Sequence, residues 1–440
     1  MFNDLSEMPV QTTGRYLVVL PEEDISSGMS ALRDSTGARD INDSVVSNLG
    51  IAVVDLDPNQ LSSLNAAVAG TQPILSVEPE QIMYAIENTT DYLQGYKDGV
   101  TNLVDSLNGT GATPQRQFTT AATFDGTNTW GLQATKVINS QYSGTGIKIA
   151  VLDTGLDLNH PDFANRTITE RSFISGETVQ DRNGHGTHCI GTSCGPLHPP
   201  DPSSPMRYGV AYNAEIFAGK VLSDQGSGPD GSILAGINWA INSNCQIISM
   251  SLGSATSPGT SFPRAYERAA KRALANETLI IAAAGNDSLV RNSSGRVVRP
   301  LRRLVPPKPV GRPANCPSIM AVAALNNQLQ IAPFSNGTIN PDGGGIDLAG
   351  PGVDIYSTYS QDTVPQRDLF GRVIDPNPPS RYKTISGTSM ATPHVAGIAA
   401  LYAEATGKRG LELWALLMRD PLRLALPSTD VGIGLAQATM

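Results

Sequence analysis

Short apolar runs alternate along the chain, and their spacing separates a small first region from a large second one. Between residues 15 and 86 the pattern predicts the order strand, helix, strand, helix, strand, which is typical of a small α+β domain. The predicted strands cover 16–20, 51–56 and 74–86, and the predicted helices lie near 25–32 and at 61–69.

A connecting region with a different pattern follows at 87–128. Apolar side chains recur at helical spacing between Tyr92 and Leu107, and a stretch rich in Gly, Thr and Pro comes after them. We therefore expect one amphipathic helix followed by an exposed linker, although two glycines within the helical pattern weaken it.

From Trp130 onward, β-rich runs alternate with helical ones. Such alternation predicts an α/β fold in which helices flank a parallel sheet on both faces. In such folds the functional side chains lie at the carboxyl ends of the strands. The predicted strands are 147–152, 216–221, 247–251, 279–284 and 319–324, and the predicted helices are 232–241, 265–275 and 394–405.

The composition describes a globular protein and argues against several classes of partner. Hydrophobic residues make up 40% and charged residues 16% of the 440 residues, which is not the composition of a disordered chain. The 31 basic and 40 acidic residues give a formal charge of −9, which would repel nucleic acid. No apolar run approaches the roughly 20 residues that span a bilayer. We expect a monomer of two or three domains with neither a nucleic-acid nor a membrane partner.

Four cysteines stand at irregular spacing, which fits neither a disulfide framework nor a zinc site of paired cysteines. The first residues include Asp4 and Glu7 and have no apolar run, so they do not resemble a secretory signal. The sequence thus predicts a cytoplasmic protein with reduced thiols. A secreted protein whose signal has been removed is the alternative.

Three separated segments carry side chains that suit nucleophilic catalysis. Asp153 follows the apolar run 147–152, in Asp-Thr-Gly, at the carboxyl end of a predicted strand. His185 lies between glycines in Asn-Gly-His-Gly-Thr-His, where a tight turn can lead into a helix. Ser389, in Gly-Thr-Ser-Met-Ala-Thr-Pro-His, stands at the start of a predicted helix, where the nucleophile feels the positive end of the dipole.

These three residue types have complementary roles. A serine hydroxyl is a weak nucleophile until a base takes its proton, and the histidine that does so needs a third group to fix its tautomer and stabilise its cation. Each fragment alone is usually structural, and Asp-Thr-Gly also occurs in aspartic proteases. The order Asp, His, Ser along the chain differs from the orders of chymotrypsin and the α/β-hydrolases. We therefore predict a catalytic triad of Asp153, His185 and Ser389.

With these motifs, the chain resembles the subtilase family of serine peptidases from about Trp130 to its end. The resemblance implies a serine endopeptidase that works through an acyl-enzyme, with Ser389 as the nucleophile, His185 as general base and acid, and Asp153 as the orienting carboxylate. Asn286, in Ala-Ala-Ala-Gly-Asn, matches the family's oxyanion donor, and the backbone N–H of Ser389 would be the second donor. Such chemistry requires no cofactor.

The resemblance also implies where a substrate binds. Two segments resemble the strands between which the family holds an extended peptide by main-chain hydrogen bonds. Three small residues match the pocket for the side chain just before the scissile bond, and small walls admit a large side chain. The strand residues are Gly226, Ser227, Gly228, Ser251, Leu252 and Gly253, and the pocket residues are Ala283, Gly285 and Gly311.

One departure from the family is a longer, basic segment between Asn286 and Gly311, which Arg312 follows. A solvated loop is the ordinary explanation, and a preference for acidic side chains in the substrate or propeptide is the alternative hypothesis. A second long loop, at 359–382, precedes the nucleophile. The cations of the basic segment are Arg291, Arg296, Arg299, Arg302, Arg303 and Lys308.

Two further residues have more than one interpretation. Asp162, in His-Pro-Asp, matches a carboxylate that binds calcium in many subtilases, but the partner loop that begins at Cys194 differs, and calcium needs six to eight oxygens. Structural calcium at Asp162 is therefore an open hypothesis. Cys189, four residues after His185, would be a packed core thiol or, alternatively, a second nucleophile.

The first region resembles the family's inhibitory propeptide, which assists folding and then blocks the cleft with its C-terminal tail. A protein with many non-local contacts folds slowly, which gives a folding assistant a purpose. The resemblance implies a propeptide domain at 1–87, a helix and linker at 88–128, and a catalytic domain at 129–440, with self-cleavage within 84–117. The partners would then be a peptide or protein substrate and the chain's own propeptide as inhibitor. An unrelated binding domain is the alternative for the first region.

Two other function classes stay open at this point. A subtilase-like scaffold would bind peptides without cutting them, although a scaffold does not need the oxyanion donor Asn286. An esterase or peptide ligase would form the same acyl-enzyme and pass the acyl group to another acceptor. No sequence feature separates an esterase or ligase from a peptidase.

Overall fold

The computed structural model describes most of both predicted domains. The described residues are 11–37, 46–69, 73–86, 126–201, 206–288, 290–291, 297–298, 307–337, 344–363 and 380–440. The predicted helix between Tyr92 and Leu107 and its linker lie outside these residues. Among the helices of the described stretches, none is both long enough and apolar enough to cross a bilayer.

The first domain is an antiparallel sheet with two helices on one face. Its elements are β1 (Thr12–Val19), α1 (Ile25–Thr36), α2 (Val46–Leu49), β2 (Ile51–Asp55), α3 (Pro58–Ala69) and β3 (Ser76–Ala85). The central strand is β1, in which Val18 pairs with Ala52 of β2 and with Val77 of β3. The predicted order of strands and helices in this region is confirmed, with the short helix α2 as an additional element that was not predicted.

Alternate side chains of β1 enter two different cores. Val18 and Leu20 pack with Leu32 and other residues of α1 and α3, inside the first domain. Leu17 and Val19 point the other way and belong to a core that continues into the second domain. Because both faces of the sheet are buried, apolar surface docks the first domain on the second.

The second domain is built on a parallel sheet. Its strands are β4 (Lys148–Asp153), β5 (Ile168–Ser172), β6 (Glu215–Lys220), β8 (Ile247–Met250), β10 (Leu279–Ala283), β13 (Met320–Leu325) and β14 (Ile346–Pro351). They lie in the order β14-β13-β10-β8-β4-β6-β5, and every neighbouring pair is parallel. Shorter strands outside this sheet are β7 (Ser227–Pro229), β9 (Leu252–Gly253), β11 (Val290–Arg291), β12 (Val297–Val298), β15 (Ile355–Thr358) and β16 (Tyr382–Ile385).

Helices cover both faces of the parallel sheet, as the alternating pattern predicts. They are α4 (Trp130–Ala134), α5 (His185–Cys194), α6 (Asp230–Asn242), α7 (Arg264–Ala275), α8 (Thr388–Thr406), α9 (Gly410–Arg419) and α10 (Ser428–Val431). Residues of α5 and α8, such as Ile190 and Val395, share a core on one face. Residues of α6 and α7, such as Ile237 and Ala269, share the core on the other face, to which β1 also contributes.

The edge strand β14 was not predicted from the sequence. Its sequence contains Asp347, Gly350 and Pro351, which interrupt the apolar run that identifies β10 and β13. Pairing with β13 and burial of Leu348 place it in the sheet in spite of its weak strand propensity.

The order of the strands creates a crevice at one end of the sheet. From β4 the chain builds β5 and β6 on one side, and then returns to place β8 on the other side of β4. At such a switch point the loops after neighbouring strands diverge, and ligands bind beyond the carboxyl ends. The crevice lies next to Asp153, the last residue of β4.

Candidate active site

Asp153 and His185 meet at this crevice. Asp153 ends β4, His185 begins α5, and both side chains are buried. The Nδ1 atom of His185 lies 2.8 Å from Oδ1 of Asp153. A carboxylate only accepts hydrogen bonds, so Nδ1 carries the proton and Nε2 is free to accept one. The contact fixes the tautomer that a general base requires.

The turn before His185 requires a glycine. Gly184 has φ +100°, and a Cβ atom placed on it would lie 2.3 Å from the ring of Tyr359. A residue with a side chain would therefore meet both backbone strain and a clash. The flanking glycine noted in the sequence serves this turn.

Asp181 connects β4 to α5 and was missed by the sequence analysis. Its carboxylate accepts hydrogen bonds from the backbone N–H groups of Asn183, Gly184 and Thr187 and from the hydroxyl of Thr154. One buried carboxylate therefore holds both the residue after Asp153 and the first turn of the helix that carries His185. The signal in the sequence is an Asp four residues before the histidine.

Lys220 supports the same strand end from the other side. It is fully buried in β6, opposite Asp153 in the strand register. Its Nζ donates to the carbonyl of Thr154 over 2.6 Å and to Asp224 over 2.8 Å, and lies 3.2 Å from Glu177. These partners satisfy a charge that would otherwise be costly to bury.

The charge of Asp153 changes the acid–base behaviour of His185. Burial by itself lowers the pKa of His185, but the adjacent Asp153 carboxylate favours the imidazolium and holds the pKa well above 6.5. Burial also raises the pKa of the neighbouring Cys189 thiol, which therefore stays neutral and leaves Asp153 as the source of the effect.

Ser389 lies in the first turn of α8, and the thiol of Cys189 contacts both Ser389 and His185. Its Oγ donates to the carbonyl oxygen of Ile86 over 2.5 Å and lies 3.1 Å from the carbonyl oxygen of Ser251. Nε2 of His185 is buried and has no hydrogen-bond partner among the described residues. The base is thus free to accept a proton, while the hydroxyl is engaged by the first domain.

Asn286 also contacts the carbonyl oxygen of Ile86. Its Nδ2 donates to that oxygen over 3.1 Å, and its Oδ1 accepts from the backbone N–H and the hydroxyl of Thr388 over 3.0 and 2.9 Å. The bonds to Thr388 fix the orientation of the amide, so that its N–H groups face the carbonyl. Within the described residues, the donors to Ile86 O are Asn286 Nδ2 and Ser389 Oγ, and the predicted second donor, the Ser389 backbone N–H, is not among them.

The predicted peptide-binding segments hold the end of β3. Strand β3 pairs antiparallel with β7 and with β9, so that Met83 lies opposite Gly228 and Ala85 opposite Leu252. Two further main-chain bonds run from Ala85 N to Gly226 O over 2.8 Å and from Ile86 N to Ser251 O over 3.3 Å. The structure therefore brings together the predicted strand residues Gly226, Ser227, Gly228, Ser251, Leu252 and Gly253 around residues 82–86.

Gly253 lies against the side chain of Ile86. A Cβ atom placed on Gly253 would lie 3.0 Å from Cδ1 of Ile86 and 2.3 Å from the carbonyl oxygen of Arg312. Of the three predicted pocket residues, Gly311 donates its N–H to Ala284 O over 2.9 Å, and Ala283 and Gly285 lie at and just after the end of β10. Their contact with the substrate side chain stays a prediction.

Comparison with known proteins decides the family. A sequence model described as the subtilase family matches residues 144–425. The chain belongs to the subtilase family. Subtilisin DY of Bacillus licheniformis is 33% identical to this subtilase over 304 residues, which are 69% of this chain and 90% of the relative.

Two other relatives match a similar share of the chain. The intracellular serine protease of Paenibacillus polymyxa is 35% identical over 319 residues, 70% of this chain and 83% of the relative. The thermostable alkaline protease of Halalkalibacterium halodurans is 39% identical over 285 residues, which are 62% of each chain. The family and these relatives make the chain a serine endopeptidase with the α/β fold of a subtilisin.

The surroundings of Asp162 in this subtilase do not fit calcium. Both carboxylate oxygens accept hydrogen bonds from phenol hydroxyls, Oδ2 from Tyr208 and Oδ1 from Tyr382 over 2.8 Å. His160 Nδ1 lies 3.8 Å from Oδ1. Calcium requires six to eight oxygen ligands, whereas these oxygens already have hydrogen-bond donors. The matched carboxylate therefore belongs to a Tyr–Asp–Tyr network.

Cys189 packs beside His185 and Ser389 in this subtilase. Its Sγ lies 3.9 Å from Nδ1 of His185 and 3.6 Å from the carbonyl oxygen of Ser389, and the residue is fully buried. Asp153, His185 and Cys189 form the cluster of potential metal ligands in the described part of the chain. Because the thiol is neutral and Nδ1 is bonded to Asp153, the packed-thiol interpretation fits and that of a second nucleophile does not.

Most of the basic segment lies outside the residues whose side chains are described. Arg312 is described and is nearly buried, with its main chain paired to Ser254. Its guanidinium extends towards Asp230, where Nη2 lies 3.7 Å from Oδ2. Asp230 in turn accepts a backbone N–H from β3, so the side chain of Arg312 lies beside the docked first domain.

Proposed function

We propose that the chain is a self-processing zymogen in which residues 1–86 are both the intramolecular inhibitor and the first substrate of the catalytic domain. Ser389 is the nucleophile, His185 the general base and acid, Asp153 the orienting carboxylate, and Asn286 the oxyanion donor. The observation that carries the proposal is the shared contact of Ser389 Oγ and Asn286 Nδ2 with one carbonyl oxygen, that of Ile86. The scissile bond is then the one after Ile86, within the predicted range 84–117.

The chemistry follows from these positions. Ser389 Oγ attacks the carbonyl carbon of Ile86 while its proton passes to Nε2 of His185, and the electrons of the C=O bond move to the oxygen beside Asn286. The tetrahedral intermediate collapses when His185 returns the proton to the leaving nitrogen of Glu87. Water, deprotonated by His185, then attacks the Ile86 ester on Ser389, and His185 returns that proton to Ser389 Oγ as the Ile86 carboxylate is released. The negative charge develops where Asn286 donates, and the Asp153 carboxylate stabilises the imidazolium.

The position of β3 supports inhibition as well as cleavage. After the bond is cut, the new carboxyl end at Ile86 still belongs to a strand that pairs with β7 and β9. The apolar contacts of Leu17 and Val19 with the second domain also remain. The first domain therefore stays in the cleft until it is degraded or displaced.

An amino-acid exchange at the nucleophile tests this function. Ser389→Ala should accumulate as the full-length chain, whereas the parent splits into two fragments that gel electrophoresis resolves. Ser63→Ala, at an exposed serine of α3, is the matched control and should process like the parent. An intact parent would contradict the proposal. Reaction of the processed enzyme with a serine-directed phosphonate and with casein separates a peptidase from an acyl transferase or a scaffold.

Other properties of the chain stay predictions. A monomer and a cytoplasmic location are expected from the sequence. The triad chemistry itself requires no cofactor.

A further inference from the structure

Two helices of the catalytic domain begin without a side-chain cap of their own. α6 follows Pro229 and α7 follows Pro263, and neither proline makes a side-chain cap hydrogen bond. The first N–H groups of a helix need acceptors, and the helix dipole makes this end positive. Each helix has one acidic residue in its own first turn, Asp230 in α6 and Glu267 in α7, and its uncapped N–H groups favour a further carboxylate.

The acceptors come from β3 of the first domain. The backbone N–H of Gly231, in the first turn of α6, donates to Glu80 Oε1 over 3.0 Å. The backbone N–H of Arg264, the first residue of α7, donates to Glu78 Oε1 over 2.9 Å. The two glutamates are two residues apart on one strand, which is the spacing that places both on the same face.

The main chain between these glutamates and the cleft is also held. The N–H of Gln81 donates to Asp230 Oδ2 over 2.8 Å. Arg312 Nη2 lies 3.7 Å from the same oxygen and offsets its negative charge. The contacts of the cleft thus continue without a break from Ile86 back to Glu78.

A cavity of about 420 Å³ beside these contacts gives an independent indication of the ligand. Arg264, Arg312 and Glu78 are among its lining residues. Arg312 is only 7% exposed, and among the described residues its Nε and Nη2 atoms have no hydrogen-bond partner. Unpaired N–H groups of a buried guanidinium are costly, and a carboxylate is the partner that fits them.

We propose that these groups form an extended substrate-binding region that selects acidic residues at the seventh and ninth positions before the scissile bond. The proposal rests on the function proposed above, because the positions are counted from Ile86, which makes Glu80 the seventh residue and Glu78 the ninth. Once the first domain leaves, the two helix ends lose their acidic partners, whereas Arg312 keeps Asp230 of its own domain beside it. A substrate strand that enters the cleft in the same register places its own side chains there.

Some of the hydrogen bonds to Glu80 come from the first domain itself and would be absent from a complex with a peptide substrate. Arg15 of β1 donates to Glu80 through Nε over 2.7 Å and through Nη2 over 2.9 Å, and Thr13 also donates to it. Of the present contacts to Glu80 and Glu78, a peptide substrate therefore keeps those from the helix ends, the N–H groups of Gly231 and Arg264. The expected gain is moderate and should appear in KM, because these contacts lie far from the reacting atoms.

Peptide substrates test the proposal without altering the enzyme. The parent peptide carries the sequence of residues 76–86 followed by a fixed leaving segment, and the processed enzyme is separated from its first domain before the assay. In the matched variant, glutamine replaces both glutamates. In a second variant, the glutamates move to the eighth and tenth positions, which keeps the net charge.

We expect kcat/KM to fall about 3- to 30-fold in both variants, mainly through KM, because each helix end contributes a modest electrostatic attraction. If kcat/KM for both variant peptides lay within twofold of kcat/KM for the parent peptide, the proposal would be overturned. A loss in the glutamine variant alone would also overturn it, since net charge rather than position would then decide. A short peptide with only four residues before the bond distinguishes a failure of this proposal from a failure of the proposed peptidase function. Its cleavage shows that the peptidase works, and its resistance would overturn both proposals.

Discussion

The side-chain amide of Asn286 donates a hydrogen bond of 3.1 Å to the main-chain carbonyl oxygen of Ile86, 200 residues away in the sequence. This contact joins the end of the first domain to the catalytic crevice. It places one carbonyl of the chain where negative charge would develop during acyl transfer.

Asn286→Ala should lower kcat about 100- to 1,000-fold, which is the effect of removing one oxyanion donor in subtilisin, with a small change in KM. The reason is that the amide acts on the developing oxyanion more strongly than on the neutral carbonyl. Steady-state kinetics with a short peptide measure both constants. Asn326→Ala, at a turn after β13, is the control, and an equal loss there would point to a general folding defect.

The carboxylate of Asp153 should set the pH dependence of activity. It holds the pKa of His185 well above 6.5, and only the neutral imidazole can accept the proton of Ser389. Activity should therefore rise with pH, and the midpoint of kcat/KM should lie above 6.5. A midpoint below 6.5 would contradict this account.

Asp153→Asn removes the charge and permits the wrong tautomer of His185. At neutral pH kcat should fall about 10,000-fold. The midpoint of the remaining pH profile should shift downwards, since burial then acts on His185 without an opposing charge. An unchanged midpoint would show that Asp153 does not control the titration.

Asp347 should make stability depend on pH. Burial raises the pKa of Asp347 to about 7, although the hydrogen bond from the Ala321 N–H lowers it. In the unfolded chain the carboxyl has its ordinary pKa of 3.8. The folded state thus favours the neutral carboxyl, and the contribution of this group to the free energy of unfolding is fully present below about pH 4. That contribution is lost as the pH rises through about 7.

Asp347→Asn should therefore raise the free energy of unfolding at pH 8 by about 1–2 kcal/mol, less than the full shift, because the residue keeps partial contact with solvent. At pH 4 the change should be small. Chemical denaturation of the Ser389→Ala protein at both pH values measures this without self-digestion. Glu412→Gln, at an exposed residue of α9, is the control, and an equal gain there would contradict the role of burial.

The network around Asp162 should stabilise the fold without calcium. Tyr382→Phe keeps the ring but removes the 2.8 Å hydrogen bond to Oδ1, so the free energy of unfolding should fall by about 1–3 kcal/mol. Adding calcium should not restore it. Recovery of stability on addition of millimolar calcium would contradict the assignment. Tyr212→Phe, at a partly buried residue elsewhere, is the control.

The sequence points to the proposed catalytic side chains more directly than to the residues that support them. Asp153, His185 and Ser389 stand in motifs with a characteristic order, and the apolar run 147–152 predicts the strand that ends at Asp153. Asp181 has a local signal, its place four residues before His185, but its bond to Thr154 joins distant segments, and the contacts of Lys220 with Thr154 do so as well. The role of Asp162 depends on two tyrosines that the fold brings together.

The proposed cleavage bond could not be located from the sequence alone for a similar reason. Any bond within 84–117 was consistent with the predicted last strand. The proposal of the bond after Ile86 rests on the pairing of β3 with β7 and β9 and on the contacts of Ser389 and Asn286 with the Ile86 carbonyl oxygen. A shift of one residue would reverse the side chains that face the cleft.

The most direct test of this account is the intact mass and N-terminal sequence of the fragments that the parent protein produces by itself. The account predicts an N-terminal fragment that ends at Ile86 and a catalytic fragment that begins at Glu87, both absent from Ser389→Ala. First cleavage at another bond, or the same fragments from Ser389→Ala, would contradict it.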